Sequence, residues 1–291
     1  MRCGSGCVAT AAVERGDSRA VAVLSRLASL PAFQSNFSFR RGIVRALISI
    51  HSPEGVAALV GILPTLPGEV RADLVNYLCA ISGKNFGTDA IAWEEWWRLS
   101  REGFQFPQRQ LAYAAAPAAG LDNYYDIPLY ADRLVFVLDT SKSMAGPRLE
   151  AAKRELVSAI HDLPPAARFT VVAFNSSATA WQKQLMEATD AAKQAAAEFV
   201  SRQQPAGQTA SFDALEAAFT FDTEAVYFLS DGNPTTGKIV DPAAIVRFVS
   251  EANRLRRVSV HTIGVMPDGN LADFLQTLAR TNYGFYRHVA E

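Results

Sequence analysis

Residues 134–143 decide how the second half of the chain folds, and they read Leu-Val-Phe-Val-Leu-Asp-Thr-Ser-Lys-Ser. The apolar run 134–138 predicts a strand that is buried on both faces, as the strands of parallel sheets are. The run ends abruptly in oxygen-bearing side chains, of which Asp139 is the first. Because ligands of open parallel sheets bind outside the carboxyl ends of the strands, functional residues are expected in the loops that follow each strand.

Short apolar runs alternate with helical stretches throughout the region after residue 130. The predicted strands are 134–138, 169–174, 226–229, 258–265 and 283–288, with an antiparallel edge strand over 178–185. The predicted helices are 148–163, 188–200, 211–219, 242–255 and 271–279. This alternation predicts an α/β fold, doubly wound and Rossmann-like, in which helices cover both faces of a mostly parallel sheet.

Two further loops carry oxygen donors of the same kind, one before the helix that begins at residue 211 and one after the strand 226–229. The three loops offer hydroxyl and carboxylate oxygens and no soft ligand. Hard oxygen donors in a small set suit Mg²⁺, with Mn²⁺ as the alternative. The donors are the Asp, Ser and Thr side chains of residues 139–143, 207–209 and 230–232.

The pattern Asp-x-Ser-x-Ser after the first strand, a Thr in a later loop and an Asp after the fourth strand resembles the metal-ion-dependent adhesion site of the von Willebrand factor A family. The resemblance implies that Ser141 and Ser143 bind the cation directly and that Thr209 binds it directly or through water. It implies water-mediated contacts for Asp139 and Asp231. An Asp or Glu of a partner protein would complete the coordination, so the expected function is metal-dependent protein binding, and no enzymatic activity is expected.

One residue departs from the family pattern. Lys142 stands between the two serines, where the family often has Gly. A side chain here restricts the loop, and its charge could weaken metal binding. Alternatively, Lys142 points outward and attracts an acidic partner, and the sequence leaves both alternatives open.

The region before residue 106 has helical spacing of apolar residues throughout. Shifting the stripe Ile43, Val44, Leu47 and Ile50 by 31 residues lays it on Leu74, Val75, Leu78 and Ile81. Such repetition resembles HEAT-type helical repeats, and a plain helical bundle is the alternative. We assign residues 1–106 to a HEAT-like domain, 107–130 to a linker and 131–291 to the α/β domain.

Three tryptophans follow the helical stripes. Trp93, Trp96 and Trp97 have the spacing of one side of a helix. We interpret them as closing the end of the repeats or docking on the next domain, and a recognition surface is the alternative.

The composition excludes several classes of protein. With 28 basic and 29 acidic residues the chain shows no excess charge for nucleic acid. No apolar run approaches the ~20 residues of a membrane span. The start resembles a signal peptide faintly, but Glu14–Asp17 interrupts it, so the cytoplasm is the default expectation. Cys3, Cys7 and Cys79 are too few, and odd in number, for a disulfide framework.

Other functions compete with this interpretation. Residues 232–238 fit the phosphate-loop pattern G-x-x-x-x-G-K, but Ile239 stands where a Ser or Thr would hold Mg²⁺. A phosphatase with Asp139 as nucleophile would need a second Asp at the position of Ser141. The remaining alternative to metal-dependent binding is a scaffold whose helical repeats bind a partner without metal.

Overall fold

The computed structural model describes residues 19–107 and 123–290, and the chain divides into two compact units, 1–118 and 119–291. The signal-peptide-like start, Cys3, Cys7 and the Ala-rich part of the predicted linker lie outside the described residues. Cys79 is a free, partly buried thiol. Within the described ranges no helix combines the length and the apolar character that a membrane crossing requires.

The first unit is helical. Its helices are α1 (Arg19–Ala28), α2 (Pro31–Ser35), α3 (Phe37–Ile50), α4 (Pro53–Ile62), α5 (Gly68–Ser82) and α6 (Ala90–Ser100). The Ser52 hydroxyl accepts a hydrogen bond from the Gly55 amide at the start of α4, as expected of a helix cap. The residues of the two predicted apolar stripes pack into one core. An all-helical region thus precedes the α/β region, while its HEAT-like character stays a prediction.

The tryptophans of α6 belong to this core. Trp93 and Trp97 are buried, and the Trp93 indole donates a hydrogen bond to the Gly87 carbonyl at 2.9 Å. Trp96 lies between them and contacts the ring of Phe104. Because two of the three rings are withdrawn from solvent, the group stabilises the first unit and does not form an exposed recognition surface.

The second unit contains the predicted mixed sheet. Its strands are β1 (Asn123–Tyr124), β2 (Ile127–Pro128), β3 (Arg133–Asp139), β4 (Arg168–Phe174), β5 (Ala178–Ala180), β6 (Met186–Glu187), β7 (Ala225–Ser230), β8 (Ser259–Val265) and β9 (Tyr286–Val289). The main sheet has the order β5-β4-β3-β7-β8-β9, with β6 also paired to β4. Pairs from β4 to β9 along this order are parallel, and β5 and β6 pair antiparallel to β4. Of the antiparallel edge strand predicted over 178–185, only residues 178–180 form a strand, β5, and β6 begins after the predicted range.

Helices cover both faces of this sheet. They are α7 (Pro147–Asp162), α8 (Asp190–Ser201), α9 (Ser211–Ala218), α10 (Pro242–Asn253) and α11 (Gly269–Thr281). Alternate residues of β3 point to opposite faces: Phe136 packs in the core under α7 and α8, and Val137 packs in the core under α9, α10 and α11. The doubly wound fold class is confirmed.

A short hairpin, β1 and β2, lies in the stretch assigned above to the linker. Tyr125 and Asp126 form its turn with positive φ angles of 51° and 58°. Tyr124 and Ile127 are buried in the core of the second unit, and the Tyr227 hydroxyl donates to the Pro128 carbonyl at 3.1 Å. We therefore propose that the α/β domain includes the hairpin from residue 123 and does not begin at 131.

The order of the sheet positions the candidate site. The chain leaves β3 toward β4 on one side, and β7 pairs on the other side of β3. The crevice between the loops after β3 and β7 is thus the point where the strand order reverses, which is where open α/β sheets bind ligands.

Candidate metal centre

Asp139 ends β3 and connects two of the loops. Its side chain is buried; Oδ1 accepts a hydrogen bond from the Ser141 amide at 2.8 Å, and Oδ2 accepts one from the Ser230 hydroxyl at 2.6 Å. Burial raises the pKa of Asp139 to about 6; the hydrogen bonds from Ser230 and Ser141 oppose that rise, and the nearby carboxylate of Asp231 adds to it. A buried carboxylate beside a second one is an environment that a cation would stabilise.

Ser141, Ser143 and Asp231 form a continuous hydrogen-bonded chain. The hydroxyl oxygens of Ser141 and Ser143 are 2.9 Å apart, and the Ser143 hydroxyl donates to Asp231 Oδ1 at 2.7 Å. A short 3₁₀ helix, Lys142–Met144, turns the chain so that both serines face the same point. Ser141 is buried and Ser143 is exposed, so the chain runs from the interior to the surface.

Thr209 completes the convergence of the three loops. A Cβ atom built on Gly232 would lie 3.5 Å from Ser143 Oγ and 3.6 Å from Thr209 Oγ1. The hydroxyls of Ser143 and Thr209 therefore both border one small space beside Gly232. Hydrogen bonds join Asp139, Ser141, Ser143 and Asp231 at the carboxyl ends of β3 and β7, and the Thr209 hydroxyl lies beside the same space.

Several residues that received no role from the sequence hold these loops in place. The Thr209 amide donates to Thr235 Oγ1, and the Thr235 amide donates to the Thr209 carbonyl, both at 3.0 Å. The Ser176 hydroxyl accepts from the Gln208 amide at 2.9 Å. Ser230 could have been noticed, because it immediately precedes Asp231. Thr235 and Ser176 carry no such signal, since only the fold brings them to Thr209.

The donor set fits a hard divalent cation. It combines three hydroxyls with two carboxylates, and all are oxygen ligands of the type that Mg²⁺ and Mn²⁺ prefer. Among residues 19–107 and 123–290 no group of three or more His, Cys, Asp or Glu side chains is arranged to hold a metal.

Lys142 and Lys238 take different positions relative to the site. The Lys142 side chain is exposed, while its amide donates to the Gly207 carbonyl at 3.4 Å. Lys238 pairs with Glu216, and its amide donates to Asp213 Oδ1 at 3.2 Å. Acidic partners around Lys238 would repel phosphate, and the next helix begins only at Pro242. The hypothesis that residues 232–238 form a phosphate-binding loop therefore does not fit the surroundings of Lys238.

The fold is an open α/β sheet with an oxygen-lined crevice where the strand order reverses, an arrangement that is typical of ligand-binding domains. The sequence profile described as von Willebrand factor type A domain matches residues 132–288, more than half of the chain. The chain belongs to this family, so the predicted family is confirmed, while the metal-ion-dependent adhesion site stays a prediction.

Individual relatives match the same region. The von Willebrand factor A domain-containing protein 3A of Homo sapiens is 36% identical over 158 residues, 53% of this chain and 13% of that protein. Inter-alpha-trypsin inhibitor heavy chain H4 of Homo sapiens is 30% identical over 171 residues, 54% and 18% respectively. A solved von Willebrand factor type A structure from Catenulispora acidiphila aligns with 55% of this chain and 38% of its own, at 24% identity and TM-score 0.48. The matches thus span less than a fifth of these curated relatives.

Proposed function

We propose that the α/β domain binds a partner protein through a divalent cation, Mg²⁺ or Mn²⁺. Ser141, Ser143 and Thr209 would supply hydroxyl ligands, and Asp139 and Asp231 would hold the ion mainly through waters. The observation that carries the proposal is the hydrogen-bonded chain from Ser141 through Ser143 to Asp231, with the Thr209 hydroxyl beside the same small space.

The charge of this donor set supports recognition of an acidic partner. Neutral hydroxyls in direct contact leave much of the charge of a dication uncompensated, so an external carboxylate is attracted to it. The exposure of Ser143 puts one edge of the site at the surface, where an Asp or Glu of a partner could reach. Asp139 is buried and engaged in two hydrogen bonds, which leaves it poorly suited to act as a nucleophile.

Thermal unfolding with and without metal tests the proposal. Millimolar Mg²⁺ or Mn²⁺ should raise the melting temperature of the wild type above its value in EDTA, since an ion that binds only the folded state stabilises it. Asp231→Ala should abolish that rise. Asp273→Asn is the matched control, because Asp273 is an exposed carboxylate on α11, and its response to metal should equal the wild type.

Partner capture separates this function from the scaffold alternative. Wild-type protein should retain a partner from a lysate of the native host in Mg²⁺ and release it in EDTA, and Asp231→Ala should retain none. Capture that is equal in Mg²⁺, in EDTA and with the variant would support the metal-independent scaffold. An unchanged melting curve across millimolar Mg²⁺ and Mn²⁺ would contradict the metal site itself.

A further inference from the structure

Arg148 reaches the candidate site from the first turn of α7. Its Nη1 atom lies 3.1 Å from Asp231 Oδ2 and 3.3 Å from the Ser143 carbonyl oxygen. A positive charge in the first turn of a helix is opposed by the helix dipole, whose positive end lies there. The local sequence therefore does not favour a cation at this position, and the contact with Asp231 offsets that cost.

The two partners in this ion pair differ in their freedom to leave it. The Asp231 side chain is buried, whereas 39% of the Arg148 side chain is exposed. The carboxylate is held by the loop after β7 and by the Ser143 hydroxyl on its other oxygen. The guanidinium stands at the end of a long, flexible stem that can turn toward solvent. If the pair opens, Arg148 is the member that moves.

Both oxygens of Asp231 are occupied in this arrangement. Oδ1 accepts from Ser143, and Oδ2 accepts from Arg148. A dication held by the neighbouring hydroxyls would need the negative charge of Asp231 and would stand within a few ångströms of the guanidinium. Two cations cannot share one buried carboxylate at that range without strong repulsion.

We propose that Arg148 is a further residue of the metal site, a built-in counterion of Asp231 that competes with the divalent cation. In the absence of metal the guanidinium neutralises the buried carboxylate, and on metal binding it withdraws to solvent. This inference rests on the proposed metal-dependent function, because it concerns the same site. It predicts that the chain binds metal less tightly than its oxygen ligands would allow.

Calorimetric titration with Mn²⁺ alone tests the competition. Arg148→Ala should bind Mn²⁺ about five- to tenfold more tightly than the wild type, because a half-exposed cation that contacts a buried carboxylate no longer has to be displaced. Arg148→Gln keeps a polar side chain of similar reach without the charge and should show the same gain. Arg148→Lys retains the charge and should stay within about twofold of the wild type.

A matched control removes the same charge elsewhere on α7. Arg154 is exposed on this helix, about 9 Å farther along its axis. Arg154→Ala should leave the affinity for Mn²⁺ within about twofold of the wild type. A gain in Arg154→Ala equal to that in Arg148→Ala would reduce the effect to net charge and overturn the competition.

Melting curves separate competition from a structural role. In EDTA, Arg148→Ala should melt below the wild type, because Asp231 loses its counterion, yet Mn²⁺ should raise its melting temperature by more. A purely structural role predicts the lower melting temperature with unchanged or weaker affinity, and that result overturns the proposal. Metal binding by the wild type with no gain in Arg148→Ala and Arg148→Gln defeats this inference alone, while absence of binding in all variants defeats the proposed function as well.

Discussion

The two units bury charge in different ways. In the helical unit Arg41 is buried between carboxylates, with Nε 2.8 Å and Nη2 3.1 Å from the two oxygens of Asp73 and Nη2 3.9 Å from Glu69. In the α/β unit the buried carboxylates Asp139 and Asp231 meet mainly hydroxyls and one half-exposed arginine. In the helical unit the buried charge of Arg41 offsets the charge of the carboxylates beside it. In the α/β unit the carboxylates have only a half-exposed arginine, so an added cation would stabilise them more.

Under the proposed function, this contrast distinguishes a structural ion pair from a binding site. The Arg41–Asp73 pair has the planar two-point geometry in which Arg and carboxylate bind most strongly, and it joins α3 to α5. At Asp139 burial raises the pKa to about 6, so the charged form is under strain without a cation. We therefore expect that breaking the first kind of polar burial destabilises the fold and, under the proposed function, that the second kind serves a ligand.

The largest expected effect is the loss of stability when Arg41 is replaced. Arg41→Ala should lower the free energy of unfolding of the helical unit by about 3–5 kcal/mol, because it removes a fully buried cation that pairs with Asp73 and lies beside Glu69. Chemical denaturation followed by circular dichroism measures the loss. Arg45→Ala is the control, since Arg45 is 39% exposed and contacts the same Asp73 at 3.4 Å, and it should cost about 1 kcal/mol or less. Equal losses of stability from Arg41→Ala and Arg45→Ala would contradict the expectation that the buried arginine contributes more.

Asp139→Asn should change the stability of the domain little and its response to metal strongly. The amide keeps the size of the side chain and an oxygen to accept from the Ser141 amide, so stability in EDTA should change by about 1 kcal/mol or less. The charge is lost, so the rise in melting temperature with millimolar Mg²⁺ should disappear. If the variant unfolds in EDTA, or if it still responds fully to Mg²⁺, then the role of Asp139 is structural and it does not take part in metal binding.

Gly232→Ala probes the space between the hydroxyls. The added methyl group would meet Ser143 Oγ and Thr209 Oγ1 at 3.5 and 3.6 Å, ordinary contact distances, so the fold should be retained. It would partly fill the space assigned to the ion, and we expect a several-fold weaker affinity for Mn²⁺ by calorimetry. Gly237→Ala is the contrasting variant: with φ of 100° and Asp213 Oδ2 at 2.6 Å, it should destabilise the domain. Unchanged affinity in Gly232→Ala would show that the ion does not use this space.

The smallest expected effect is that of Lys142→Gly, which restores the residue common in the family. The Lys142 side chain is exposed, so we expect the affinity for Mg²⁺ to change by about twofold or less. Retention of an acidic partner should weaken instead, because a surface charge that attracts it is gone. A large gain in affinity for Mg²⁺ would establish the other alternative, that Lys142 weakens metal binding.

The order of elements and the identity of the candidate ligands could be predicted from the sequence. The apolar run 134–138 and its abrupt change to Asp139 are local signals, and the strand–helix alternation implies a parallel sheet that collects the strand ends at one edge. The hairpin at residues 123–128 was missed because each of its strands has two residues, too few for any periodicity. The edge strand predicted over 178–185 ends at 180 because pairing to β4, and not local pattern, determines where β5 stops and where β6 begins.

What the sequence determined by itself is therefore the fold class, the family and five oxygen-bearing side chains in three loops. What only the tertiary structure decided is how those side chains are held and neutralised: Ser230 on Asp139, Thr235 on Thr209 and Arg148 on Asp231. The physical reason is range. Periodicity and capping act over a few residues along the chain, whereas hydrogen bonds and charge pairs at a sheet edge join residues that lie 26 to 91 positions apart.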